Sequence, residues 1–151
     1  MQKDTSSSDN EVTPPFLNSK VEEVFNSYPT LIRKKLLFLR ELIFDIASKI
    51  REVGELEEAL KWSEASYLTS KSKSGSTIRV TWKPSFKDKY VMNFNCNTNL
   101  IETFRRKYPF DFIYGGKRSL IFNVNDDIAV DKLCDCISIA LTYHLNKAKE
   151  S

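Results

Sequence analysis

Histidine occurs once in the 151 residues, at position 144, and cysteine three times, at Cys96, Cys134 and Cys136. No zinc-type spacing is present. Cys134 and Cys136 are two apart, so on a helix they point about 200° from one another and cannot readily share a metal. An odd cysteine count without a signal peptide argues against a disulfide framework, and buried, inert thiols are expected. No nucleophile motif accompanies His144, so acid-base chemistry would fall to scattered carboxylates and an enzyme is not expected. Glycine is scarce too, with four residues. Gly115-Gly116 lacks the further glycines and the Lys-Ser/Thr pair of a phosphate loop.

Long apolar runs are also missing. The longest, over 36–47, is interrupted by Arg40, Glu41 and Asp45, and MQKDTSSSDNEVTPP contains no hydrophobic signal core. Neither secretion nor membrane spanning is expected, which leaves a cytoplasmic protein with no membrane partner. What the chain does have is 41% hydrophobic and 28% charged residues, values of a globular protein that buries roughly 70% of its unfolded surface. A net charge of +3 is too small to argue for nucleic acid.

Residues 1–17 read as a disordered tail and 18–149 as one domain. Asn18 or Ser19 caps a short helix carrying Val21, Val24 and Phe25, which Tyr28-Pro29 interrupts. Over 30–52, Ile32, Leu36, Leu39, Ile43, Ile46 and Ile50 recur at helical spacing and predict a long amphipathic helix that Gly54 closes. A short acidic helix is expected over 55–61. The period then falls to two: a strand near 66–69, TIRVTWK with Ile78, Val80 and Trp82 on one face, and YVMNFNC with Tyr90, Met92 and Phe94 on one face. A helix over 100–108 ends at Pro109. FDFIY and SLIFNV alternate again around GGKR, and Val130, Leu133, Ile137, Leu141 and Leu145 trace a last helix. The fold class is α+β, with helices packed on an antiparallel sheet of about five strands.

The marks YPTLIRKKLLFLRELI, ALKWSEASY, KYVMNFN and YGGKRSLIF, in this order, resemble the YdhG-like family of small bacterial domains over about residues 20–147. That family shows Glu, an apolar pair, Trp, Gly or Asn, one residue, Pro and an aromatic where this chain has Glu58, Ala59-Leu60, Trp62, Ser63, Ala65 and Tyr67; Ala65 replaces the proline. Some members are described as frataxin-like intracellular iron chaperones. The resemblance therefore implies acidic surface residues acting as iron ligands, and an iron-accepting protein as partner.

Four sets of residues are candidate sites. Glu55 and Glu58 share a helical face, with Glu64 beyond the helix end, and oxygen ligands suit iron; the plainer account is that Glu55, Glu57 and Glu58 complement a helix N-terminus. Trp62 and Trp82, with Tyr67 and Tyr90, could line a pocket, against the plainer account of core packing with Trp62 anchoring the crossover into the sheet. Arg105, Arg106 and Lys107, then Lys117 and Arg118, interleave with aromatics as in binders of single strands or phosphorylated ligands, but a helix end and a turn are where a solvated surface carries such charge, which is the favoured account, and no specific nucleic acid is expected. The cysteines and His144 form the fourth set. The expectation is a small cytosolic binding or carrier module with iron as cargo, or, alternatively, a protein- or small-molecule-interaction domain without metal or catalysis.

Overall fold

The computed structural model describes residues 14–150, with side chains to 147; 1–13 of the expected tail lie outside the described residues. Among the described residues are five α-helices and six strands in the order α1 (Ser19–Ser27), α2 (Thr30–Lys49), β1 (Glu57–Lys61), β2 (Glu64–Leu68), β3 (Ile78–Thr81), β4 (Lys89–Phe94), α3 (Leu100–Lys107), β5 (Ile113–Gly115), β6 (Ser119–Asn123), α4 (Val130–Leu141) and α5 (Tyr143–Glu150). The fold is α+β. Its sheet has six antiparallel strands rather than about five, ordered β1-β2-β3-β4-β6-β5.

The stripe on α2 buries Ile32, Leu36, Leu39 and Ile43, and α4 adds Leu133, Ile137 and Leu141. These meet the inner sheet face, where Ala65, Tyr67, Ile78, Val80, Tyr90, Met92, Phe94 and Leu120 alternate with outward residues and join one core. Asn18 caps α1 by accepting from the Lys20 and Val21 amides. Part of the expected tail is packed: the Pro14 and Pro15 carbonyls accept from Arg40, and the Phe16 ring lies 3.9 Å from the Arg40 guanidinium.

The acidic segment 55–61 is not a helix. Its residues are good helix formers, but tertiary pairing overrides propensity: residues 57–61 run antiparallel to β2 in the register Glu57↔Leu68 to Lys61↔Glu64. Trp62 and Ser63 make the two-residue connection with φ of 56° and 63°. Positive φ at both central residues belongs to the type I′ hairpin turn, the turn that matches strand twist.

Three further boundaries differ from expectation. α2 ends at Lys49, because Ile50 is extended and Val53 is drawn into the core. The strand expected over 110–114 starts at Ile113: Phe112 turns inward among Tyr108, Tyr114 and Phe122, while Phe110 is exposed. The last helix divides at Thr142, where the polar loop 69–76 takes over its hydrogen bonds. Ser76 donates its amide to Ala140 O (2.9 Å), Ser74 Oγ donates to Leu141 O (2.8 Å), and the His144 amide donates to Ser74 O (2.9 Å). Gly75 permits this approach, since a Cβ there would stand 2.2 Å from the Leu141 carbonyl oxygen.

Candidate functional site

The three glutamates expected to hold iron are each engaged separately. Glu55 is exposed and paired with Lys71, whose hydrogen bond and charge lower its carboxyl below the usual range. Glu58 points into the core. Its Oε2 accepts from Arg40 Nε (2.6 Å) and from the Tyr67 hydroxyl (2.8 Å), and its Oε1 accepts from Arg40 Nη2 (3.0 Å). Glu64, one position past the turn, points to the opposite sheet face, where Asn93 Nδ2 donates to it at 3.3 Å and Arg79 Nε lies 3.7 Å away. The strand period of two separates Glu58 from a shared face in the way a helix would not. Among the described residues no group of three or more His, Cys, Asp or Glu side chains is placed to hold a metal ion.

The aromatic candidates also part company. Tyr67 and Tyr90 are fully buried. Tyr67 is bound to Glu58, and Tyr90 stacks on Phe122 at 5.3 Å. Trp82 is half-buried, edge-on to Tyr28 at 6.2 Å, with its Nε1 donating to Lys87 O (2.7 Å). Trp62 is a correction: it is no core anchor but stands 87% exposed at the hairpin tip.

Nor do the cysteines and His144 converge. Cys96 is exposed, which corrects its expected burial, Cys134 is half-buried and Cys136 is buried. Burial, then the Asp135 carboxylate, pushes the Cys136 thiol up to about 12. His144 is exposed and uses its backbone amide to hold the 69–76 loop.

The basic set is the one that folding assembles, in part. A groove of about 890 Å³ lies between the 95–99 turn, α3, the β5–β6 turn and α5, and Arg105, Arg106, Lys117 and Lys147 line it. Arg105 Nη2 donates to Gly116 O (2.8 Å), and its guanidinium lies 5.3 Å over Tyr114. The Tyr114 hydroxyl reaches the Phe104 and Tyr108 carbonyl oxygens at 3.0 and 2.7 Å, which ties the β5–β6 turn to α3. Arg106 is paired with Glu102, one turn earlier on α3 (2.7 Å). Lys147 lies 5.6 Å over Tyr143, and neither it nor Lys117 has an ion-pair partner among the described residues. Lys107 and Arg118 are outside the groove lining; Lys107 is paired with Asp135 (2.6 Å). Sequence reasoning missed Lys147, because α5 returns to this end of the sheet only through the break at Thr142.

The chain matches no family model, no curated protein and no solved structure. No helix of the described residues is long and apolar enough to cross a membrane.

Proposed function

We propose that the protein is a cytoplasmic binding module, YdhG-like in design, that takes a small anionic molecule such as a phosphorylated metabolite or a polycarboxylate into the groove between α3 and α5. The observation that carries this reading is that four cations face that groove against one carboxylate, Glu102. Arg105 is pre-positioned by Gly116 and Tyr114, so little ordering entropy is lost when its remaining donors meet a ligand. Lys117 on the β5–β6 turn and Lys147 on α5 add charge to the lining. The volume is that of a metabolite site rather than of a nucleic-acid track.

Iron carriage, which the resemblance implies, would require Glu55, Glu58 and Glu64 to leave Lys71, Arg40, Tyr67, Arg79 and Asn93. Calorimetric titration with pyrophosphate, citrate and nucleotides tests the groove. Saturable binding by at least one, weakened about tenfold in Lys117→Gln/Lys147→Gln, is expected. Equal binding by that variant, or none by either protein, would overturn it. Saturable anaerobic Fe(II) binding, lost in folded Glu55→Gln/Glu58→Gln/Glu64→Gln, would return the reading to iron.

A further inference from the structure

β1 is the last strand on its side of the sheet, and α1 does not seal its free edge: Val21 and Phe25 of α1 turn into the core, while Ala59 and Leu60 stay only half-buried. The two-residue turn at Trp62-Ser63 closes on the pair Lys61↔Glu64. The backbones of Lys61, Ala59 and Glu57 therefore bond to β2, and those of Leu60 and Glu58 face outward. The Glu58 carbonyl accepts a long bond from Asn18 Nδ2 (3.5 Å). The Glu58 amide and both backbone groups of Leu60 have no hydrogen-bond partner among the described residues. Such a row of unpaired groups is where a further strand adds to a sheet.

The side chains of this strand are self-complementary. Glu58 turns inward to Arg40, so Glu57, Ala59 and Lys61 share the outer face. Glu57 and Lys61 are exposed, and neither is in an ion pair among the described residues. Lys61 faces Glu64 across the hairpin, but Glu64 is drawn to Arg79 and Asn93. A second copy of β1, laid antiparallel with Ala59 opposite Ala59, puts Glu57 of each copy opposite Lys61 of the other. Small side chains then meet on the two-fold axis, with opposite charges on either side. In the same register Glu58 of each copy stands opposite Leu60 of the other, and these are the two residues whose backbone groups face outward.

Two large apolar side chains stand in solvent beside this edge. Trp62 directly follows Lys61, in a turn whose positive φ favours Asn or Gly over a bulky ring. Leu17 is 92% exposed and adjoins the Asn18 that reaches Glu58. In the register above, Trp62 comes level with Leu56 of the second copy. Leu56 and Leu17 line one cleft of about 500 Å³, together with Phe44 and Ile50. We infer that the protein forms a two-fold dimer by pairing β1 with β1, with Trp62 of each copy covering the Leu17–Leu56 cleft of the other. A copy of this strand brings the matching charges at both ends and an indole for the cleft at once, which is why a second copy is the occupant. The contact is small, so a dissociation constant on the order of 10 µM is expected.

The test is sedimentation equilibrium of the full chain, at concentrations up to about fifty times that constant, with circular dichroism to confirm that each variant is folded. A reversible dimer is expected for the parent. Glu57→Lys and Lys61→Glu each set like charges opposite one another at both ends of the pairing, and each should weaken association about tenfold. Mixing these two variants should restore association, because in the mixed pair every lysine faces a glutamate. Trp62→Asn places a favoured residue in the turn, so the fold is kept, and loss of the ring should weaken association about tenfold. A parent that stays monomeric overturns the inference and leaves the edge to a strand from another protein. Association that the charge variants or Trp62→Asn leave unchanged, or that the mixture does not restore, overturns it as well and assigns the dimer to another face.

Discussion

Arg40 and Glu58 form a two-pronged ion pair inside the core, at 2.6 and 3.0 Å, although they lie on α2 and on the edge strand β1. Arg40 is completely buried, and its guanidinium is also held by the Pro14 and Pro15 carbonyls and by the faces of Phe16 and Phe44. The pair locks the N-terminal segment, the long helix and the first strand to one another.

Removing one partner should therefore be costly. Glu58→Ala leaves a buried guanidinium without its counter-charge and should lose about 3–5 kcal/mol. The double replacement Arg40→Met/Glu58→Leu should lose less than that single change. Urea midpoints of Arg40→Met, Glu58→Leu and the double close the cycle, and additivity would refute the coupling.

The hairpin turn makes the opposite prediction. Ser63 adopts φ of 63°, where glycine carries no side-chain penalty. Ser63→Gly should raise stability by about 0.5–1 kcal/mol without altering contacts. A midpoint at or below that of the parent would show that the turn is not strained.

Much of the framework was legible because it is local. The helical period at Leu36, Leu39 and Ile43, and the alternation at Ile78 and Val80 and at Tyr90, Met92 and Phe94, report burial directly, and all of these residues are in the core. Residues 55–61 were not legible. Glu, Ala, Leu and Lys favour a helix, and only pairing across Trp62-Ser63 makes them a strand, although the period Leu56, Glu58, Leu60 carried the signal. Arg40 read as an interruption of an apolar run because its partner lies 18 residues away. The groove cations were visible as composition, but their convergence depends on where α5 returns.

At Gly75 the loop backbone nearly touches Leu141. Gly75→Ala must push the two apart and should cost about 1–3 kcal/mol, as overpacking does. Thermal melting checks this; a parent-like midpoint would mean that the loop shifts freely.

Alkaline pH should unfold the protein through its tyrosines. Burial, then Glu58, raises Tyr67 well above its ordinary value, with Arg40 opposing. Burial, then Asp126, takes Tyr90 to about 12. Burial also takes Tyr114 to about 12, while the hydrogen bond to Asp135 is the main cause of the same rise in Tyr108. An unfolded tyrosine ionises near 10. Above that pH the unfolded chain releases protons that the native state keeps, so stability is full below pH 10 and falls as pH rises towards 12. Chemical denaturation across this range, with tyrosinate absorbance as a second readout, should show the decline; a flat profile would contradict it.

The clasp between the 69–76 loop and the α4–α5 break joins groups 67 residues apart along the chain. The Ser76 and His144 amides are donors in it from opposite sides, one to Ala140 O and the other to Ser74 O. Neither bond survives alone if the loop lifts away. The two amides should therefore exchange with solvent deuterium as one cooperative unit, and opening of that unit should release α5, which carries Lys147 to the groove; independent exchange rates at Ser76 and His144 would refute the coupling.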